Sequence, residues 1–276
     1  MKKFLSLLLV FALALTLFVA CNDNGGKTDD DGDEKTDGTT EDGGNTENGG
    51  NVEGLEELAG KTPEELYAET VAKLASYTLY KAQTTQEIVM SVQGQSFTMI
   101  QEVTSVVDGQ NSYFRSYAEN IDGSAIVNEG YYVDGVLYNA TNKLKVELPY
   151  EDYVRDYLGG AEGESLLLNI PESWFSDIRF VENEGLYSLV FTIAGDKYEE
   201  FFSKTGLVET ATEISDVIYT VNFDKDAELV DIVTEFSMNI SGVDATVTST
   251  SKIILEDIPS ITPPADADSY REGVLN

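Results

Sequence analysis

The stretch Val230-Asp231-Ile232-Val233-Thr234-Glu235-Phe236-Ser237-Met238-Asn239-Ile240 decides the fold class. Val230, Ile232, Thr234, Phe236, Met238 and Ile240 fall on one side of an extended chain. Asp231, Glu235, Ser237 and Asn239 fall on the other, with Val233 the exception. Alternation of period two marks a half-buried strand, because successive side chains of extended backbone point to opposite faces. Beyond Ser241-Gly242, the residues Val243, Ala245, Val247, Ile253 and Leu255 continue the inward set, with Ser249 and Ser251 as small polar interruptions. The pair predicts a hairpin with one face toward water and one toward a core.

Upstream the same theme recurs. Turn signals stand at Gln93-Gly94, Asp108-Gly109, Asp122-Gly123 and Asp134-Gly135, at nearly regular intervals. Glycine and aspartate tolerate the positive φ of tight hairpin turns, and the flanking Tyr, Val, Thr and Ile residues favour extended backbone. The expectation is a meander of long antiparallel strands. Tyr187, Leu189, Phe191 and Ile193 form a further strand whose opposite face, with Leu186, Val190 and Ala194, is apolar as well. A covering helix is expected there. Candidate helices span 150–158, 165–175 (interrupted by Pro171) and 196–204. Ahead of all strands, Thr62-Pro63-Glu64-Glu65 supplies an N-cap hydroxyl, a proline at the first helical position and a capping-box glutamate. Tyr67, Val71 and Leu74 give that helix one apolar face, and it should end near Ser76. The fold class is therefore α+β, mainly antiparallel β, with short helices interleaved.

The chain has 276 residues, 50 acidic and 17 basic side chains, no histidine and a single cysteine, for a net charge of -33. Without histidine there is no Ser-His-Asp triad, no Cys-His pair and no His/Cys zinc site. The charge argues against nucleic acid, whose phosphates call for clustered Lys and Arg. No resident cofactor or metal is expected. The Asp29-Asp30-Asp31-Gly32-Asp33 run fails the register of a calcium loop, because Glu34 falls at the place that needs glycine and Thr40 at the twelfth.

Lys2 and Lys3 precede an apolar run from Phe4 to Ala20 broken only by Ser6 and Thr16, the pattern of an export signal over residues 1–20. Phe18-Val19-Ala20-Cys21 resembles the lipobox of bacterial lipoproteins, with Phe18 in place of the usual leucine. The resemblance implies lipidation of Cys21 and attachment to the extracytoplasmic face of a bacterial membrane through its acyl chains. Residues 21–53 are almost wholly Gly, Asp, Asn, Thr and Glu, with no aromatic residue, and read as a disordered acidic tether. A coil of that length spans on the order of 30 Å. The remaining residues, 54–276, make one domain.

A capped helix after a tether, long antiparallel strands, helical inserts, the stretch Tyr131-Tyr132-Val133-Asp134-Gly135-Val136-Leu137-Tyr138 and the closing Ile261-Thr262-Pro263-Pro264-Ala265-Asp266-Ala267-Asp268-Ser269-Tyr270 together resemble the superfamily of LolA-type carriers and related lipoproteins. The resemblance covers about residues 55–272. It implies an unclosed, half β-barrel whose concave face is apolar and covered by helices, a cavity in which relatives hold lipids or acyl chains. It supplies no catalytic residues. Anchoring through Cys21 departs from the soluble shuttles and favours a stationary holder.

Phe191, Ile193, Phe236 and Met238 lie on inward faces, and Trp174 and Phe175 follow Pro171 in a segment rich in large side chains; these six are the candidate cavity residues. Each also fits ordinary core packing. An enzyme reading fails. Ser249-Thr250-Ser251-Lys252 and Lys204-Thr205-Gly206 match S-x-x-K and K-T-G in reversed order, without S-D-N, and on a strand that places Ser249 and Lys252 on opposite faces. Two functions remain: a non-catalytic, monomeric holder of an apolar ligand, or a surface module with a filled core that contacts another envelope protein.

Overall fold

The computed structural model describes residues 56–92, 94–119, 124–157, 172–183, 186–197, 211–240 and 243–273. The expected leader, Cys21 and the expected tether lie outside these residues, as do the expected Asp122-Gly123 turn and most of the expected helices 165–175 and 196–204.

Helix α1 spans Pro63–Ala75 and starts as its sequence dictates. The Glu65 amide donates to Thr62 Oγ1 at 3.3 Å, and the Thr62 amide donates to Glu65 Oε2 at 3.1 Å. This reciprocal pair satisfies two of the donors that every helix start leaves open. Proline at the first position adds no further unmet donor, and the helix ends at Ser76. Its buried stripe is Leu66, Tyr67, Thr70 and Leu74, with Val71 at the margin. Thr70 tolerates burial because its hydroxyl donates to the Leu66 carbonyl at 2.8 Å.

The strands are β1 (Leu79–Val92), β2 (Gln95–Asp108), β3 (Asn111–Glu119), β4 (Ala125–Val133), β5 (Val136–Asn139) and β6 (Leu144–Glu147). After helix α2 (Tyr150–Tyr157) come β7 (Phe175–Asn183), β8 (Leu186–Ile193), β9 (Ala211–Ile214), β10 (Val217–Phe223), β11 (Leu229–Ile240), β12 (Val243–Ile254) and β13 (Arg271–Glu272). They form one sheet in the order β13-β6-β5-β4-β3-β2-β1-β12-β11-β10-β8-β7, with β9 paired to β11. Every pairing is antiparallel except β13 with β6. The two ends, β13 and β7, do not meet, so the sheet is an unclosed half-barrel of the α+β class, as expected.

Tight turns set the register of the first meander. Asp134 and Gly135 both have positive φ (51° and 81°), the backbone of a two-residue hairpin loop that matches strand twist. Val133 pairs with Val136 across it. The hairpin predicted from residues 230–255 is present, with Phe236 opposite Val247 and Met238 opposite Ala245.

One helical expectation is corrected, and the covering helix expected over β8 falls mostly outside the described residues. Of the helix expected over 165–175 only the last four residues are described, and they are a 3-10 turn, Glu172–Trp174, followed by Phe175, which opens β7. The face of β8 bearing Leu186, Val190 and Ala194 carries no helix among the described residues; Val190 is half-buried and Ala194 exposed. Most of the candidate covering segments lies outside the described residues, and the described part of that face carries a polar ladder. Ser188 Oγ donates to Asn222 Oδ1 at 2.6 Å and Asn222 Nδ2 to Asp231 Oδ1 at 2.7 Å, a ladder across β8, β10 and β11 that remains compatible with water. Helix α1 covers the opposite, inward face.

Apolar burial falls into three clusters. The largest joins α1 to the inward faces of β1, β2, β8, β10, β11 and β12. A second places Ile258 and Ile261 of the carboxyl-terminal segment on the outward side chains Val106, Tyr113, Tyr131 and Val133. The third packs α2 under β4 through Tyr132, Leu148 and Tyr153.

Candidate functional site

The inward face of the half-barrel has three zones. In the first, under α1, Leu189, Phe191, Ile193, Val217 and Val221 have no exposed area, and Phe236 and Met238 are nearly as buried. Phe191 stacks on Phe175 with centroids 4.3 Å apart and on Tyr219 at 5.1 Å. Tyr67 of α1 meets Phe175 and Phe191 edge-on at 4.8 and 5.4 Å. Edge-to-face and offset pairs suit the ring quadrupoles, so α1 is seated in an aromatic cradle. The six candidate residues Trp174, Phe175, Phe191, Ile193, Phe236 and Met238 all belong to this zone, with Trp174 and Phe175 partly exposed at its margin.

In the second zone, α2 caps the inward side of β4. Tyr132 and Tyr153 stack in parallel, the Tyr132 hydroxyl donates to the Leu148 carbonyl at 2.9 Å, and the Tyr153 hydroxyl lies 2.6 Å from Ser112 Oγ. Beside them is a polar cleft of about 380 Å³ lined by Gln110, Asn111, Tyr132, Asp134, Gly135 and Tyr150. Burial, with the nearby Tyr150, pushes the Tyr80 phenol up to about 12. An apolar environment disfavours the phenolate.

Between these zones runs a polar row. Gln86 of β1 is the register partner of Gln101 of β2 and of Ser249 of β12, and Gln101 is in turn opposite Ala118 of β3. The next row brings together Ser116, Val103, Thr84 and Ser251, with Thr84 Oγ1 and Ser251 Oγ 2.8 Å apart. Gln86 is 3% exposed and Gln101 1%. Gln86 Oε1, Gln101 Oε1 and Gln101 Nε2 have no hydrogen-bond partner.

Charge is sorted by face across β3, β2, β1, β12 and β11. Lys81, Glu87, Glu102, Arg115, Asp231, Glu235, Asp244 and Lys252 all stand on the outward parity, and no charged residue occupies an inward position of these strands. Ser249 is inward and Lys252 outward, so the S-x-x-K match cannot bring its two groups together. On the outward face, Leu79, Ile100, Val127 and Ile218 are exposed on four different strands, and Ile100 and Ile218 each lie opposite a glutamate. Among the described residues no group of acidic or cysteine side chains is placed to hold a metal ion, and no helix is long and apolar enough to cross a membrane.

The sequence reading missed the glutamine pair and the tyrosines of α2. The signal for the former was present: Gln86 interrupts the run Ala82, Ile88, Met90 at one parity of β1, and Gln101 interrupts Phe97, Met99, Val103 on β2.

No protein-family model matches the chain, and no curated protein matches it. Among solved structures, it is similar to a domain described as an outer membrane lipoprotein-sorting protein from Vibrio parahaemolyticus, at 11% identity over 71% of this chain and 94% of that chain, with a TM-score of 0.26. It is similar to a LolA superfamily protein from Nitrosomonas europaea at 10% identity over 70% of this chain and 94% of that one, TM-score 0.24. A DUF1329 family protein from Desulfovibrio piger matches at 9% identity over 72% and 93%, TM-score 0.23. At TM-scores this low the likeness carries no argument.

Proposed function

We propose that this chain is a non-catalytic cell-envelope lipoprotein, held to the extracytoplasmic face of a bacterial membrane by acyl chains on Cys21, that binds an apolar ligand such as a lipid or acyl chain on the concave face of its half-barrel. The observation that carries the reading is the sorting of charge across the central strands, which leaves a broad inward face without one charged residue on a sheet that never closes. Such a surface favours hydrocarbon over water by roughly 25 cal/mol for each Å² it removes from solvent.

In this reading α1 is the cover. It is one helix of 13 residues, about 20 Å long at 1.5 Å per residue, laid over a face many strands wide. Lys73 at its last turn pairs with Glu228 through exposed side chains, an ion pair of the kind that contributes little to stability. Lifting α1 bares Phe191, Ile193, Phe236 and Met238, with Trp174 and Phe175 at the rim, and these six are the proposed ligand contacts.

Native mass spectrometry of the full chain, released from detergent in the gas phase and followed by solvent extraction, tests the proposal. A stoichiometric apolar adduct is expected. Bare protein that also fails to take up a fluorescent fatty acid or phospholipid would overturn it. For the anchor, Cys21→Ser should remove the acyl mass from the purified chain, and a mass that differs from wild type only by the exchange of sulfur for oxygen would refute lipidation at that residue.

A further inference from the structure

We propose that Gln86 and Gln101 recognise the uncharged polar head, a hydroxyl or a secondary amide, of an amphiphile whose hydrocarbon tail lies along the concave face. The inference rests on the ligand-binding reading above and adds the chemical class of the ligand. It starts from a cost. A buried donor or acceptor without a partner destabilises the fold, and three such atoms lie on two cross-strand neighbours. Packing alone does not require them. One register step away on the same parity stand Ile88 and Met99, which fill their positions with hydrocarbon. Buried polar groups in folded proteins are almost always satisfied, so a side-by-side pair of stranded carboxamides marks a position kept for a partner.

The identity of the stranded atoms specifies that partner. Both Oε1 atoms need a donor, and Gln101 Nε2 needs an acceptor. A group that both donates and accepts meets these needs, as a hydroxyl or a secondary amide does. An ester only accepts, and would leave both carboxamide oxygens stranded. A carboxylate or phosphate has the same defect and brings a charge. No lysine or arginine occupies an inward position of β3, β2, β1, β12 or β11 to balance an anion, and no aspartate or glutamate does so for a cation. An unpaired charge buried there would be far costlier than the neutral head. Small side chains flank the pair, with Ala118 opposite Gln101 and Ser249 opposite Gln86. The head therefore sits between the apolar zone under α1 and the zone capped by α2, with the tail directed to either.

Membranes from cells expressing the full chain are incubated with three probes that share one diazirine- and alkyne-bearing acyl chain: a 1-monoacylglycerol, an N-methyl amide and the free fatty acid. Labelling of the wild-type chain is compared with that of Gln86→Leu/Gln101→Leu. One or both uncharged probes should label the wild type about tenfold more strongly than the fatty acid, the order expected when buried polar atoms are matched by one head and stranded by another. The stronger of the two distinguishes hydroxyl from amide. The double variant should lose this preference while still being labelled through the tail. Equal labelling of the wild type by all three probes would overturn the inference and leave the apolar-ligand reading intact, and this comparison does not depend on the variant folding. A preference that survives in the double variant would overturn it too, since the glutamines would then hold only internal water. Absence of labelling by every probe would instead remove the ligand-binding reading itself.

Discussion

Tyr132 on β4 and Tyr153 on α2 lie ring on ring, with centroids 4.0 Å apart and planes 5° from parallel. Each hydroxyl is also tied, Tyr132 to the Leu148 carbonyl and Tyr153 to Ser112, so the short helix α2 is fixed both by stacking and by hydrogen bonds. A double-mutant cycle with Tyr132→Ala and Tyr153→Ala should give a coupling of about 0.5–1.5 kcal/mol in denaturant unfolding. Tyr132→Phe, which removes only the hydroxyl, should cost about 1 kcal/mol.

Gly195 allows close approach of two backbone segments. A Cβ at this position would overlap the Ile214 carbonyl oxygen and crowd the Ser215 carbonyl, neither of which can swing away as a side chain does. Gly195→Ala should therefore destabilise the chain by about 1–3 kcal/mol. Gly130→Ala is the control, because its Cβ would meet the Tyr138 carbonyl at an ordinary 3.5 Å. Denaturant midpoints of the two variants, read against wild type, check the contrast.

The strand pattern of residues 230–255 and the capping box at Thr62 were legible in the sequence because each is local: alternation and a four-residue hydrogen-bond motif do not wait for the rest of the chain. The hairpin turn at Asp134-Gly135 was legible for the same reason. The face of β8 was not. Ser188, at the parity of Leu186 and Val190, bonds across to Asn222, a partner 34 residues away that no local window reveals. The convex cover was missed likewise, since Ile258 and Ile261 find Val106 and Val133 only after the whole sheet has formed. For the candidate site, parity placed Phe191, Ile193, Phe236 and Met238 on one surface, but their seating under Tyr67 is a long-range fact. Gln86 and Gln101 became visible as a pair only when register set them side by side.

Alkaline pH should weaken the fold. The Tyr80 phenol is pushed up to about 12 from an ordinary 10.0, by burial first and then by Tyr150. Burial also raises Tyr132, and Tyr131 is raised by burial and by the Glu129 carboxylate to which its hydroxyl donates. Below pH 10.0 the Tyr80 phenol keeps its proton in both folded and unfolded chains, so its contribution is intact. Between 10.0 and about 12 only the unfolded chain releases the proton, and stability falls through that window. Urea midpoints measured from pH 8 to 12 should drop, and Tyr80→Phe should flatten part of the drop.

Loosening α1 should ease access to the face beneath it. Thr62→Ala removes the oxygen that accepts from the Glu65 amide and should cost about 1 kcal/mol. If α1 is the cover, the same variant should take up a fluorescent fatty acid faster than wild type in a stopped-flow assay while reaching a similar end point. Unchanged uptake with the expected loss of stability would place the entry elsewhere.

The pairing of β1 with β12 joins the first strand of the domain to its last long one, at the middle of the sheet. A chain delivered amino end first can complete the β1 to β6 meander early, but the free edge of β1 stays bare until the carboxyl-terminal hairpin arrives. Contacts between such distant segments make for slow assembly, because the intervening loop must be closed before any of them forms. An unpaired edge of that length is meanwhile a template for any other extended chain. The domain is vulnerable between those two moments, and a helper that shields one strand edge would meet the need.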